Sequence, residues 1–160
     1  MALEGSNTAV ERMVERFASE NLSHCLNDVK VGDYFITLDE IQDDSVDAII
    51  DAESLYCNEF SRAREIVIKC FNKLKKGGRM MSLTFAEGTW GLDGDTCGYH
   101  AVLPKSGPMS GKGFSRYVTE DDIDRLYKLE NNTIERIERV EFHHSKNEVV
   151  KEWVIEIRKI

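Results

Sequence analysis

The chain has 160 residues, 41% of them hydrophobic and 31% charged, with a formal net charge of -8. That size suits one domain with a core, and the interspersed charges exclude wholesale disorder. The acidic balance excludes a nucleic-acid backbone as partner, since no basic stripe dominates.

No apolar run is long enough to span a bilayer and no signal peptide opens the chain, so no membrane partner is expected and a cytoplasmic setting follows. Cys25, Cys57, Cys70 and Cys97 include no CxxC pair, which argues against zinc or a redox dithiol. Cys70 reads as a small core residue, and Cys57 has no evident cation to make it a thiolate.

In chain order, residues 1–5 read as an abrupt start. Thr8 to Glu20 is a predicted helix: Val10, Met13, Val14 and Phe17 fall on one face, and Thr8 with Glu11 forms a capping box. Val29 to Val31 is a short strand closed by Gly32-Asp33, and Phe35 to Ile41 is ambiguous. After an Asp43-Asp44 turn, Val46 to Ile50 has the near-continuous apolar character of a parallel strand buried on both faces.

Glu59 to Leu74 is the clearest predicted helix, with Ala63, Ile66, Val67, Cys70, Phe71 and Leu74 as its apolar stripe. Gly77-Gly78 reads as its stop, and Arg79 to Phe85 as the next strand. Strand, helix and strand in this order imply parallel pairing with a right-handed crossover. Residues 87–118 have no sustained period and hold seven of the eleven glycines and both prolines, a composition suited to a mobile or functional loop. Thr119 caps a short helix carrying Ile123, Leu126 and Tyr127. Ile134 to His144 and Val149 to Ile160 then form a predicted antiparallel hairpin.

Two look-alikes are set aside. Gly107 to Gly113 has the wrong first spacing for a Walker loop and lacks its Ser or Thr. Asp93-Gly94-Asp95 opens like a calcium loop, but Pro104 stands where the bidentate Glu belongs. His143-His144 would point to opposite faces of a strand, so no metal is predicted.

The segments Val31-Gly32-Asp33-Tyr34, Val46 to Asp51, Leu74 to Arg79, Met80 to Phe85, Arg116 to Ile123 and the terminal hairpin stand in an order that resembles the class I S-adenosylmethionine-dependent methyltransferases. The resemblance covers nearly the whole chain, from the helix after the family's second strand to the C-terminus. It implies an α/β, Rossmann-like sheet, mostly parallel, with a C-terminal antiparallel hairpin and lacking the first strand or strands. Residues 1–160 would be one incomplete domain with 87–118 as its lid. The family's Gly-rich loop, where only glycine lets backbone approach the ligand closely, is absent.

The resemblance also implies roles. Asp33 and Tyr34 would hold the adenine end of S-adenosylmethionine, Asp51 and Ala52 its methionine end. Glu4 falls near the family's ribose-binding acid. Glu53 and His100 are the candidate proton acceptors, and Tyr56, Glu87, Trp90 and Tyr117 the candidate substrate contacts. The implied function is methyl transfer to a small-molecule acceptor, in a truncated or partner-dependent form. The alternative is a non-catalytic module that dimerises through exposed sheet edges, with a homodimer or a missing N-terminal segment completing the fold. The hairpin argues against a dehydrogenase-like protein.

Overall fold

The computed structural model describes residues 1–26 and 28–160. The chain divides into two compact units, residues 1–42 and 43–160.

In the first unit, β1 (Ala2–Glu4) pairs in parallel with β2 (Val29–Val31). Residues 2–4, read from sequence as part of an abrupt start, are therefore a strand. Between them runs α1 (Asn7–Ser19). Its N-cap is Ser6, whose hydroxyl accepts from the Ala9 amide, so the helix starts one residue before the predicted Thr8 cap. No residue of α1 is buried. After Gly32, Asp33 caps α2 (Tyr34–Thr37) by accepting from the Phe35 amide at 2.9 Å, and a 3-10 turn (Leu38–Glu40) follows. The ambiguous segment is thus helical.

The second unit is built on four strands in the order β3 (Val46–Ala52), β4 (Leu74–Phe85), β9 (Val149–Lys159), β8 (Asn132–His143). Only β3 and β4 pair in parallel; β9 runs antiparallel to both β4 and β8. The predicted mostly parallel sheet is not what these strands form, because the terminal hairpin supplies two of the four.

The crossover from β3 to β4 is α3 (Phe60–Lys73), which buries Ala63, Ile66, Val67, Cys70 and Phe71. With Met80, Phe85, Ile155 and Ile157 from the sheet they make the core. Burial pushes the Cys70 thiol up to about 12, in keeping with an inert core residue. The helix ends at Lys73, before the predicted Gly-Gly stop. Gly77 and Gly78 lie inside β4, where its register with β3 shifts between Val46 and Ala48. Gly78 has no room for a Cβ there: Lys75 O would lie 2.9 Å away and Asp47 O 3.0 Å.

Lys159, at the end of β9, binds the α3 C-terminus. Its ammonium donates to the carbonyls of Phe71, Asn72 and Leu74 and to Asp44 at 2.7–3.3 Å. A cation at a helix C-terminus is favoured by the helix dipole.

β3 departs most from its sequence reading. Expected to be buried on both faces, it is an edge strand, and Ile50 is 70% exposed. Residues 87–118 also differ from a structureless loop. They contain a small antiparallel sheet of β5 (Asp95–Gly98), β6 (Ala101–Leu103) and β7 (Ser115–Arg116). An Ala86–Val118 bridge and a Trp153 Nε1–Val118 O bond of 2.9 Å tie its base to the main sheet. The remaining helix is α4 (Glu120–Tyr127), with a Thr119–Asp122 capping box and Ile123, Leu126 and Tyr127 buried.

Among the described residues, no helix is long and apolar enough to cross a membrane.

Candidate functional site

The carboxyl end of β3 is where the acids gather. Asp51 is buried, and its carboxylate accepts from the Ser54 amide at 3.2 Å and from the hydroxyls of Ser54 and Ser82. The Ser82 hydroxyl in turn meets the buried Tyr127 hydroxyl at 2.9 Å. Burial raises Asp51 above the usual carboxylate range, while these neutral donors pull the other way. Both carboxylate oxygens are engaged by the chain's own hydroxyls. Ala52, next along, is exposed.

Glu53 follows with φ 54, a left-handed backbone uncommon for a non-glycine residue. Its amide donates to Leu83 O at 3.1 Å, which fixes the turn away from β4. Its acid acts on the carboxyl of Glu152 on β9, favouring the protonated form there. Glu152 pairs with Phe85 at the end of β4 and is buried. Burial first, then Glu53, raise the Glu152 carboxyl to about 7. Tyr56, from a 3-10 turn (Leu55–Cys57), packs its ring on Phe85 at 4.8 Å, and its hydroxyl donates to Met109 Sδ at 3.5 Å.

The same turn is held from below by Arg116, 1% exposed, whose Nε donates to Asn58 O at 3.1 Å and Nη2 to Leu55 O at 3.4 Å. The positions of Glu53 and Tyr56 thus depend on a buried guanidinium from β7.

His100 lies in the turn between β5 and β6, also in a left-handed conformation (φ 49). Its ring stacks between Tyr99 at 4.1 Å and Tyr117 at 4.9 Å. Nδ1 sits 2.7 Å from Oδ2 of Asp122, whose side chain is 1% exposed. The carboxylate also accepts from Tyr99, Arg125 and the Thr119 amide. Burial alone would raise Asp122, but His100, Thr119 and Tyr99 outweigh it and hold the carboxyl below its usual range. An ionised Asp122 selects the tautomer with the proton on Nδ1, which leaves Nε2 of a neutral imidazole as an acceptor. Among the described residues four non-glycine residues have positive φ, and two of them are Glu53 and His100.

A cleft of about 340 Å³ is lined by residues 87–93 and Tyr117. The predicted contacts Glu87, Trp90 and Tyr117 all line it, and Trp90 packs near the His144 ring at 5.9 Å. Gly91 and Gly107 pack backbone on backbone at its rim: a Cβ on Gly91 would lie 2.5 Å from Ser106 O.

In the first unit, Glu4 and Asp33 stand at the carboxyl ends of adjacent parallel strands, linked by a Gly32 amide bond to Glu4 O of 2.9 Å. Glu4 Oε1 accepts from the Ser6 amide, and Tyr34 opens α2 directly after Asp33.

Sequence reasoning missed Asp122 and Glu152 as partners. Asp122 sits three residues after a Thr, a capping-box spacing that signals a buried role. Glu152 carries no such signal: strict alternation from Trp153 places it on the outward face, yet both residues are buried.

No protein-family model matches the chain, and no curated protein matches it in sequence. Solved structures do. A SAM-dependent methyltransferase from Methanosarcina mazei is 15% identical, with 99% of this chain covering 92% of that one at a TM-score of 0.68. The PH0226 protein of Pyrococcus horikoshii is 13% identical, with 100% covering 71% at a TM-score of 0.72. The 1,6-didemethyltoxoflavin-N1-methyltransferase of Burkholderia thailandensis, solved with 1,6-didemethyltoxoflavin and S-adenosylhomocysteine, is 13% identical, with 99% covering 70% at a TM-score of 0.57.

The fold is therefore that of the class I S-adenosylmethionine-dependent methyltransferases.

Proposed function

We propose that this chain binds S-adenosylmethionine and catalyses methyl transfer to a small-molecule acceptor. The observation that carries the reading is the grouping of Glu87, Trp90 and Tyr117 around one cleft, with the candidate proton acceptor His100 stacked on Tyr117. When bound, S-adenosylmethionine supplies an activated methyl group. Structures of this fold bound to S-adenosylhomocysteine support that choice of ligand.

Each unit, taken by itself, offers groups suited to part of such a ligand. Glu4 and Asp33, at the tips of β1 and β2, are acceptors suited to ribose hydroxyls and an adenine amino group, with Tyr34 beside them. At the tip of β3, exposed Ala52 offers backbone to the methionine part. Asp51, with its oxygens committed to Ser54 and Ser82, acts there by fixing the strand end.

The acceptor end is aromatic and acidic. Trp90 and Tyr117 supply flat walls, and Glu87 a polar contact. Tyr56 borders Glu53 at the end of β4. His100, oriented by Asp122, offers Nε2 for a proton. Residues 87–118 serve as the lid, closing over the acceptor and excluding water. Positioning of the acceptor is the main contribution asked of the protein.

Calorimetry with S-adenosylmethionine and S-adenosylhomocysteine tests the reading. Binding is the expected outcome; a folded sample that binds neither overturns it. Asp33→Ala should weaken affinity about 10–100-fold, the usual loss for a hydrogen bond involving a charged group.

A second reading is carried by β3. Its outer edge is unpaired among the named strands and exposes Ile50, as expected of a strand that pairs with a second chain. Sedimentation decides it: a homodimer supports a partner-dependent form, and a monomer removes it.

A further inference from the structure

Aromatic rings and unpaired acids share the wall of the cleft at residues 87–93. Its volume of about 340 Å³ lies at the small end of the range for ligand sites, so its occupant is small. Trp90 and Tyr117 are both half-buried. The Trp90 amide donates to Val149 O at 2.8 Å, and its ring packs near His144. The Tyr117 amide donates to His100 O at 2.9 Å, and the His100 ring stacks on one face of its phenol. Rings pinned in this way lose little freedom when a flat molecule settles against them.

The charges around the cleft are sorted by sign. Glu87 and Asp93 line it, both are exposed, and among the described residues neither forms an ion pair. The Ser106 hydroxyl orients Asp93, at 3.1 and 3.2 Å from its two carboxylate oxygens. The cations nearby are turned elsewhere. Arg139 donates to the backbone carbonyl of Glu87, lies over the Trp153 ring at 5.7 Å and pairs with Glu141 at 3.8 Å. Lys151, whose ammonium would stand 3.5 Å from a Cβ on Gly88, pairs with the same Glu141 at 3.9 Å. His143 Nε2 is also 3.5 Å from Glu141. Glu141 thus gathers the basic groups of the hairpin, and the carboxylates of Glu87 and Asp93 are left unanswered.

We propose that the methyl acceptor enters this cleft as a cation: a flat, ring-bearing amine, its ammonium drawn by Glu87 and Asp93 and its ring held by Trp90 and Tyr117. The inference rests on the methyl-transfer reading and adds to it the charge and shape of the acceptor. Aromatic faces attract a cation as carboxylates do, so both kinds of wall favour the same ligand. An acceptor carrying a carboxylate meets the reverse, two like charges with no cation to offset them. The net charge of -8 acts in the same direction by drawing cations toward the surface.

The test sets two probes of similar length and opposite charge, phenethylammonium and 3-phenylpropionate, against the full chain in calorimetry, with and without S-adenosylhomocysteine. Phenethylammonium is expected to bind at least about tenfold more tightly. That preference should shrink about threefold in Glu87→Gln and in Asp93→Asn, and disappear when both are changed. Both side chains are exposed, so these variants should fold, which a melting scan checks. Trp90→Ala should weaken both probes, the cation more, and added salt should narrow the preference. Equal affinities, tighter binding of 3-phenylpropionate, binding of neither probe, or a preference that survives in the double variant overturns the proposal. Binding of S-adenosylhomocysteine is measured separately. If it binds while the probes are not told apart, only the charge of the acceptor is lost. If it does not bind while phenethylammonium is preferred, the methyltransferase reading falls and the cleft keeps its preference.

Discussion

Two buried carboxyls sit a few residues from the end of the sheet, Asp51 on β3 and Glu152 on β9, and burial raises both. They differ in what answers them. Asp51 faces three neutral donors, from Ser54 and Ser82, which satisfy its oxygens and restrain the rise. Glu152 faces another acid, which adds to it. The first arrangement anchors the strand end, because hydroxyl donors cost little to hold and have no charge to exchange. The second favours the protonated form of a buried acid. Burial alone therefore does not mark a functional acid; its partners do.

The largest effect that sharpens this contrast is on catalysis. Glu53→Gln should lower kcat by about 10²–10⁴, the range for loss of a general base, in a methyl-transfer assay. A variant with native kcat would remove Glu53 from proton handling and leave His100 to do it. Asp122→Asn addresses that other route: imidazole loses its anionic partner and the selected tautomer, and kcat should fall less than in Glu53→Gln if Glu53 is the main acceptor.

Next comes stability. Asp51→Ala strips Ser82 and Ser54 of their acceptor and should cost about 1–3 kcal/mol in urea unfolding. A smaller loss would mean that the hydroxyls find other partners and that Asp51 is not the anchor.

The pH dependence of melting separates the acids by sign. Glu152 binds its proton more tightly folded than unfolded. Its contribution is fully present below about 4.5 and is lost as pH rises through about 7, so melting temperature should fall across that window. Asp51, also raised, acts in the same direction. Asp122, held below its usual range, acts oppositely: its contribution is present above the unfolded value and lost in stronger acid. Glu152→Gln should flatten the fall between pH 5 and 7, and a slope unchanged from the native chain would break the contrast.

The smallest effect is expected at Ile50. At 70% exposure, Ile50→Thr should shift stability by no more than about 0.5 kcal/mol. A larger loss would place that side chain against something in solution.

Much of this architecture was readable in the residues. The stripe from Ala63 to Phe71 marks α3, alternation marks β9, and Thr119 marks the start of α4. Each signal is local, and local periodicity is what sequence carries best. β3 misled because an apolar run says a strand wants cover without saying whether it receives it. Gly77-Gly78 misled because a glycine pair serves a strand irregularity as readily as a helix stop. Of the site, Glu87, Trp90 and Tyr117 were legible as cleft residues. Glu53 and His100 stood out in the sequence as candidate proton acceptors, but the acids that act on them, Glu152 and Asp122, did not. Those contacts span long stretches of chain and depend on register and on two left-handed residues that no composition announces.

The position of β9 has a consequence for biosynthesis. It is made after both of its neighbours, yet it lies between β4 and β8, and its Lys159 binds carbonyls at the end of α3. At ribosomal speeds of 5–20 residues per second, β4 waits on the order of several seconds with one flank bare. During that interval the nascent polypeptide is open to chaperones and to pairing with its neighbours on a polysome.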